Sequence, residues 1–445
     1  MVIAGMVGLA AVACGSAGAP ESGDPTDVPL GSTAEPAVTE PVIAEPAMTE
    51  PVTSATATST TAPVDTPTTA TTAPTAPTTT APTTPSSSVP TNGATTAAPT
   101  TAVPTSALST ECAERIELRA AAALLVWPAA DPVDWDSVVD AVERHDVGGV
   151  LLMQPRGWDT DEVTVRLADL ERLSRHGLVV ATDEEGGDVQ RLRVLGDLAS
   201  QRDVSLGGDR TAARRIIAEH GRSVRSVGVD IVLGPVVDVA PDDGDVPLAA
   251  SRFFVGDAND VAEWARTYVD GWNDAGLVAT LKHFPGHGAA SADTHDAEGV
   301  TAGLDELAGR DLVPFAALGD RVGAGDAAVM VGHLTVPGLT DGRPATLSSA
   351  AIDLLRSQVG YADALVVSDA LGMGAVGLPE SVAAVEALRA GIDVVVFTRT
   401  SQTGAVVDAI VDAVDDGTLD ESTIRTSARR VLDVLSRDGH RCNPT

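Results

Sequence analysis

From about residue 110 onward, short runs of consecutive apolar residues alternate with segments in which apolar residues recur every three or four positions. Such runs are typical of buried strands, whereas the longer period is typical of amphipathic helices. Helices are predicted between most strands, among them 136–145, 211–228 and 260–276. Eight apolar runs predict strands, at 122–126, 148–153, 177–182, 229–234, 276–281, 327–332, 363–368 and 393–397.

Eight successive strand-then-helix units predict an α/β fold, and more specifically a single-domain (β/α)8 TIM barrel. The main alternative is a doubly wound sheet, which usually has fewer strands and a glycine-rich phosphate loop. The glycine pair in "DEEGGDVQR" (183–191) lacks the G-x-G-x-x-G spacing of a dinucleotide site. The pattern therefore favours the barrel.

Residues 20–109 show no such periodicity, because Ser, Thr, Pro, Ala and Val dominate them and they contain no Lys or Arg. A segment of this composition buries too little apolar surface to offset its chain entropy. We expect a disordered Ser/Thr/Pro/Ala-rich stalk, similar to O-glycosylated linkers, ahead of a folded domain at 110–445.

Residues 1–19 begin with an apolar run that is too short to span a bilayer and ends in small residues around Cys14. This segment resembles a bacterial lipoprotein signal peptide, with a lipobox at 11–14 and a lipid on Cys14. No Lys or Arg precedes the run, so an uncleaved apolar tail is the alternative. We expect an exported protein, either secreted or lipid-anchored on the extracytoplasmic face of the cell membrane, with no other membrane contact.

The two remaining cysteines, Cys112 and Cys442, bracket the folded domain. The two chain ends meet in a closed barrel, and an oxidising compartment would let these thiols form a disulfide. Two unrelated thiols are the alternative.

The chain carries a formal net charge of −34, and its first 110 residues contain eight acidic residues and no basic one. This balance argues against nucleic acid as a partner. Lys282 is the only lysine of the chain, so a lysine within a motif is notable here.

Ionisable residues follow several of the predicted strands. Because the loops after the strands of a barrel share one rim, such residues are expected to form one site. They are Asp183, Arg252, Lys282, His283, His333 and Asp369.

The segment "LKHFPGHGAASADTH" (281–295) holds one lysine, three histidines and one aspartate. His283, His287, Asp293 and His295 are potential zinc ligands. Their spacing matches no helix-borne pair, since Pro285 interrupts a helix between His283 and His287. We therefore expect neither a metal nor a cofactor.

Four segments of the folded domain resemble glycoside hydrolase family 3, specifically its single-domain bacterial β-N-acetylhexosaminidase branch. They are "DEEGGDVQRL" (183–192), "GPVVDV" (234–239), "KHFPGHGAASADTH" (282–295) and "SDALGM" (368–373). The resemblance implies a retaining glycosidase that hydrolyses terminal non-reducing β-linked N-acetylglucosamine, with peptidoglycan fragments as the expected source. A monomer whose partner is the carbohydrate substrate is expected.

The resemblance also implies roles for individual residues. Asp369 would be the nucleophile, His295 the general acid/base and Asp293 the group that orients His295. This fits the chemistry, because a retaining glycosidase needs a carboxylate near the anomeric carbon and a proton donor at the leaving oxygen. An imidazole titrates near neutral pH without perturbation. The sugar would be bound by Asp183, Arg191, Arg252, Lys282 and His283.

Two positions depart from the family pattern: Asp188 stands where many members have Arg, and Ala370 where a second Asp is common. Neither carries an assigned role. The alternatives that stay open are a β-glucosidase, a phosphorylase that uses phosphate in place of water, and a catalytically inactive lipoprotein that binds wall glycans.

Overall fold

The computed structural model describes residues 105–241, 246–358 and 360–437. The chain divides into two units, Met1–Ala94 and Thr95–Thr445, and every described residue belongs to the second. The predicted signal peptide with Cys14, most of the predicted stalk and Cys442 lie outside the described residues.

Strands and helices alternate along this second unit. The strands are β1 (Val126–Ala130), β2 (Gly149–Leu152), β3 (Val179–Thr182), β4 (Glu184–Gly186), β5 (Val189–Gln190), β6 (Ile231–Val232), β7 (Ala279–Phe284), β8 (Gly299–Val300), β9 (Ala327–Val331), β10 (Leu334–Thr335), β11 (Val366–Ser368) and β12 (Val395–Phe397). The helices are α1 (Thr105–Arg115), α2 (Leu118–Leu124), α3 (Trp135–Glu143), α4 (Thr160–Leu173), α5 (Gln201–Gly207), α6 (Arg210–Ser226), α7 (Ala258–Asp274), α8 (Leu304–Gly309), α9 (Leu312–Ala317), α10 (Gly319–Gly323), α11 (Ser349–Ser357), α12 (Glu380–Ala390), α13 (Thr403–Asp415) and α14 (Glu421–Ser436).

The eight main strands are β1, β2, β3, β6, β7, β9, β11 and β12. They pair in parallel and are buried along their whole length, which confirms the predicted α/β class. They form two sheets, one with the order β12-β1-β2-β3-β6 and one with the order β11-β9-β7, while β10-β8 and β4-β5 are separate strand pairs. Single parallel bridges, Ile231 with Val278 and Val367 with Val394, link neighbouring edges of the two sheets. Continuous apolar runs suit strands that are covered on both faces, as here.

The first predicted strand, 122–126, is wrong. Helix α2 ends at Leu124 and β1 begins at Val126. The chain is apolar and buried throughout 121–130, and a continuous apolar run does not distinguish a buried helix from a buried strand. The remaining seven predicted strands coincide with observed strands, with shifts of up to three residues at their ends. Helix α1 begins at Thr105, inside the segment assigned to the stalk.

The helices cover the sheets with one apolar face each. In α6 the buried residues Ala213, Ile217, Gly221 and Val224 recur every three or four positions, as expected for an amphipathic helix. Its first turn is capped by Asp209, whose side chain accepts from Ala212 N, which satisfies an otherwise unpaired amide. These helices hold the strands, and through them the loops at the strand ends, in fixed positions.

Among the described residues, no helix combines the length and the apolar content that crossing a lipid bilayer requires.

Candidate active site

A cleft of about 410 Å³ opens at the carboxyl ends of the parallel strands. The residues that line it come from strands β2, β4, β5, β7, β9 and β12 and from the loops after β2, β3, β5, β6, β7, β11 and β12. Its ionisable lining residues are Asp183, Glu185, Arg191, Arg252, Lys282, His283, His295 and Asp369. Its apolar lining includes Leu151, Met153, Val189, Leu233, Met330, Met373 and Val396.

The floor of the cleft is organised around Lys282, which lies within β7 rather than after it and is 2% exposed. Its Nζ lies 2.9 Å from Asp183 Oδ1 and 2.6 Å from Glu185 Oε1. Burial alone would lower the pKa of Lys282, but the two carboxylates outweigh it and raise this pKa. An ammonium between two carboxylates satisfies charges that could not be buried singly.

Two arginines extend this ion network toward solvent. Arg191 Nη2 donates to Asp183 Oδ2 at 3.0 Å, and Arg252 forms a bidentate pair with Glu185 at 2.8 and 2.9 Å. Burial opposes ionisation of Asp183, but Lys282 and Arg191 outweigh it and hold the pKa of Asp183 well below its usual value. The cleft therefore presents fixed charges and donors of the kind that bind sugar hydroxyls.

Asp188, the first departure from the family pattern, lies at the turn of the β4–β5 hairpin. Its Oδ2 accepts from Ser251 Oγ at 2.5 Å. The contact links the hairpin that carries Glu185 to the loop that carries Arg252.

Asp238 holds the chain that carries His283. Its carboxylate is fully buried and accepts from His283 N (3.1 Å), from His287 N (2.7 Å) and, at 2.7 Å, from His283 Nδ1. Burial opposes its ionisation, yet the neighbouring His283 and His287 lower the pKa of Asp238 to about 2. His283 thereby presents Nε2, 3.5 Å from Arg252 Nη2, toward the cleft that it lines.

The loop after β7 carries an aspartate–histidine pair at its exposed end. Asp293 Oδ1 accepts from His295 N at 2.9 Å and lies 2.7 Å from His295 Nδ1. The His295 side chain is 60% exposed, and within the described residues its Nε2 has no hydrogen-bond partner. Below this pair, His287 is buried and contacts Thr294 Oγ1 through Nε2 at 3.2 Å. The pair can therefore transfer a proton through Nε2 while the loop beneath it is fixed.

Asp369 follows β11 directly and lines the cleft. Its Oδ1 accepts from Ala370 N at 2.8 Å. Burial opposes ionisation, but His283, His333 and this amide outweigh it and lower the pKa of Asp369. His333 is buried outside the cleft lining, where it contacts Thr346 Oγ1 and the carbonyl oxygen of Ala370 at 2.8 and 3.0 Å. The surroundings of Asp369 therefore favour its ionised form, and the residue directly follows a buried strand.

Most of the residues expected from the sequence line one cleft, and Asp293 contacts it through His295; those in the lining are Asp183, Arg191, Arg252, Lys282, His283, His295 and Asp369. His333, which was expected at the same rim, is instead buried outside the lining. Sequence reasoning missed Glu185 and Asp238. Glu185 lies two positions after Asp183, so the two-residue repeat of an extended segment could have placed it on the same face. Asp238 was visible as a lone carboxylate within the apolar motif at 234–239.

No group of three or more His, Cys, Asp or Glu side chains is arranged to hold a metal ion within 105–241, 246–358 and 360–437.

One further buried carboxyl lies beneath the loop after β7. Asp311 Oδ2 accepts from Arg310 Nε at 2.8 Å, while Oδ1 has no partner among the described residues. A Cβ at Gly286, whose φ is +132°, would overlap the Asp311 side chain. Burial raises the pKa of Asp311 to about 6 despite Arg310.

The chain matches the family model "Glycosyl hydrolase family 3 N terminal domain" over residues 121–434. It is 40% identical over 326 residues to a protein of Mycobacterium tuberculosis named beta-hexosaminidase LpqI, and the match covers 70% of this chain and 80% of that protein.

Two solved structures are similar to this chain. A glycosyl hydrolase family 3 member from Mycobacterium smegmatis superposes with a TM-score of 0.66 at 35% identity, covering 72% of this chain and 98% of that one. A family 3 β-N-acetylglucosaminidase from a Paenibacillus species superposes with a TM-score of 0.68 at 29% identity, covering 73% of this chain and 63% of that one.

The raised pKa of Asp311 predicts a pH-dependent stability effect. Its folded pKa of about 6 exceeds the ordinary value of 3.8, so this carboxyl destabilises the fold above pH 6, and the penalty is relieved as pH falls toward 4. Asp311→Asn should therefore stabilise the protein at pH 7.5, by at most about 3 kcal/mol. Denaturant unfolding at pH 4.5, 6 and 7.5 measures this gain, which should shrink at the lower pH values.

Asp305→Asn, at an exposed position on α8, is the matched control and should leave the pH dependence unchanged. An Asp311→Asn protein that is less stable at pH 7.5, with the pH dependence of the unaltered protein, would contradict the assignment.

Proposed function

The chain belongs to glycosyl hydrolase family 3 and is a glycoside hydrolase, and on that basis we propose that it is a retaining β-N-acetylhexosaminidase. Its substrate would be terminal non-reducing β-linked N-acetylglucosamine. The observation that carries the proposal is the convergence of Asp369, the His295–Asp293 pair and the Lys282 ion network on one cleft. The beta-hexosaminidase name of the mycobacterial relative supports the choice of sugar.

In the proposed first step, the Asp369 carboxylate attacks the anomeric carbon while the bond to the aglycone oxygen breaks. Protonated His295 gives its Nε2 proton to that oxygen. In the second step neutral His295 takes a proton from water, and the water oxygen displaces Asp369 from the sugar. The lowered pKa of Asp369 keeps this carboxylate ionised for the attack.

Asp293 would keep the His295 ring oriented and stabilise its protonated form through the 2.7 Å contact with Nδ1. The sugar hydroxyls would be held by Asp183, Arg191, Arg252, Lys282 and His283. We add Glu185 to this set, because it lines the cleft and fixes both Lys282 and Arg252.

We further propose that the eight main strands close into a (β/α)8 barrel. Support comes from the two parallel bridges between the sheets, Ile231 with Val278 and Val367 with Val394. With these bridges every main strand has two parallel neighbours, in the order β1-β2-β3-β6-β7-β9-β11-β12. The placement of the cleft at the strands' carboxyl ends agrees with this fold.

The cellular setting remains a proposal from the sequence. We propose export through residues 1–19, lipid attachment at Cys14 and a stalk from residue 20 to the start of α1 at Thr105 that lets a monomeric domain reach peptidoglycan fragments near the membrane. The supporting observations are the apolar run ending at Cys14 and the composition of the stalk.

Hydrolysis of 4-nitrophenyl N-acetyl-β-glucosaminide and 4-nitrophenyl β-glucoside, each with and without inorganic phosphate, tests the proposed activity. We expect faster turnover of the N-acetylglucosaminide, with free N-acetylglucosamine as the product in both conditions. Asp369→Ala should lower kcat roughly a thousandfold or more.

Each alternative has its own outcome in this assay. Preference for the glucoside would indicate a β-glucosidase, and a sugar phosphate would indicate a phosphorylase. Binding of N-acetylglucosamine without turnover would indicate an inactive glycan-binding protein.

The proposed acid/base role predicts that His295→Ala depends on the leaving group. We expect a loss of roughly 10²- to 10⁴-fold on N-acetylglucosamine disaccharides, whose leaving oxygen needs a proton. The loss should be smaller on the nitrophenyl substrate, because nitrophenolate departs unprotonated. Asp293→Asn should act in the same direction but more mildly. Comparing kcat/KM on both substrates measures this, and equal losses would exclude the role.

The sequence also predicts a disulfide between Cys112 and Cys442. Cys112 is buried in α1, and α1 packs against α14, which ends shortly before Cys442. In oxidised protein, peptide mapping without reductant should find the two cysteines linked. Closing so long a loop would stabilise the fold by about 5 kcal/mol in the chain-entropy model.

The matched variants are Cys112→Ser and Cys112→Ser/Cys442→Ser, which should lower Tm equally because either removes the same bond. Alkylation of both thiols in unreduced protein would rule the disulfide out.

A further inference from the structure

The β4–β5 hairpin presents two faces with different roles. Asp183 and Glu185 line the cleft, whereas Glu184 between them is fully buried and absent from the cleft lining. This follows from the alternation of side chains along an extended segment, which places neighbours on opposite faces. Glu184 therefore faces the protein interior directly behind the proposed sugar site.

The carboxylate of Glu184 holds together the chain on which Arg191 lies. Its Oε2 accepts from Arg191 N at 3.1 Å and from Leu192 N at 3.0 Å. Its Oε1 accepts from Gln190 Nε2 at 2.8 Å and lies 2.8 Å from His220 Nε2. Four contacts to one buried carboxylate fix the backbone of 190–192.

His220 links this arrangement to a helix. It lies in the middle of α6, and its side chain is 9% exposed. Its ring packs edge-on against the ring of Trp272 in α7, with 6.3 Å between the two ring centroids. Because α6 packs against α7, His220 stays in place and its ring does not move with the hairpin. The contact between His220 and Glu184 therefore ties the hairpin to α6.

The position of Arg191 depends on the contacts that Glu184 makes with its backbone. Its guanidinium makes one hydrogen bond among the described residues, to Asp183 Oδ2 at 3.0 Å. Its Nε is buried and has no partner among the described residues, and its side chain remains 30% exposed at the cleft. A donor left open in this way suits a ligand, provided that the backbone beneath it is held still.

We propose that Glu184 and His220 are positioning residues that hold Arg191 in the orientation required for sugar binding. The proposal rests on the proposed function in that Arg191 contacts the sugar. Misplacing a binding group by about 1 Å can lower catalytic efficiency by two orders of magnitude, so loss of the support should be visible in the kinetics.

A double-mutant cycle tests this coupling. Glu184→Ala and His220→Ala are each combined with Arg191→Ala, and kcat/KM is measured on 4-nitrophenyl N-acetyl-β-glucosaminide. Alone, Glu184→Ala should lower kcat/KM roughly 10- to 100-fold, and His220→Ala less. In the Arg191→Ala background each should change kcat/KM by less than about twofold, because residues that act through one group are not additive.

His176→Ala is the matched control, because His176 is also buried and its Nε2 faces a carboxylate, Asp146 Oδ2, at 3.4 Å, away from the cleft. This variant should lower Tm while kcat/KM stays within about threefold. His220→Gln keeps a side-chain donor and should recover part of the loss of His220→Ala. Additive losses in the cycle, or no recovery by His220→Gln, would overturn the proposal.

Hydrogen exchange provides a readout that does not need turnover. Glu184→Ala and His220→Ala should accelerate exchange of the amides in 188–198 relative to the rest of the domain, while His176→Ala should not. If Glu184→Ala fails to fold, His220→Ala carries the test. An unaltered protein without hexosaminidase activity would refute the proposed function, whereas unchanged exchange in 188–198 would refute the positioning role.

Discussion

The buried ion pairs of Lys282 are the constraint on which the cleft depends. Its ammonium lies at the end of a fully buried strand, where an unpaired charge would be expensive. Asp183 and Glu185 must therefore remain in contact with it, which fixes the chain after β3 against β7. Because these carboxylates also pair with Arg191 and Arg252, one buried cation determines where two cleft arginines lie.

Side chains alternate between the two faces of the extended segment 183–185, so its three acidic residues have different surroundings. Asp183 and Glu185 face the cleft. Glu184 faces α6, where its carboxylate contacts His220 Nε2. Asp238 acts similarly on the neighbouring segment, because it fixes His283 and His287 through their amides. Arg191 and His283, which face the proposed substrate, thus each rest on a buried carboxylate that does not, and such support keeps a site preorganised.

The apolar runs predicted the parallel α/β class, and the polar residues that follow them predicted five of the cleft residues: Asp183, Arg252, Lys282, His283 and Asp369. The same pattern was wrong for His333, and the family resemblance was needed for Arg191, Asp293 and His295. The sequence-based prediction failed where an apolar pattern fits two kinds of secondary structure, and where two contacting residues are far apart in the sequence. The run at 121–130 is apolar whether helical or extended, so the start of β1 was misplaced. Glu184 and His220 are 36 positions apart, and Asp238 meets His283 across 45 positions. No local pattern records such contacts.

The proposed catalytic groups differ in how firmly they are held, and this follows from their chemistry. Asp369 needs a lowered pKa and a fixed position, which a strand end surrounded by histidines supplies. His295 must exchange a proton with substrate and water in the proposed reaction, and its side chain is 60% exposed to solvent. Its loop is nonetheless attached to the chain after Asp369, because Gly374 N and Ala375 N donate to the carbonyls of His295 and Thr294. A Cβ at Gly374 would lie 3.0 Å from Asp296 O, so this close backbone contact favours glycine. The exposed imidazole of the proposed acid/base thus lies on a backbone that is tied to the segment after Asp369, the proposed nucleophile.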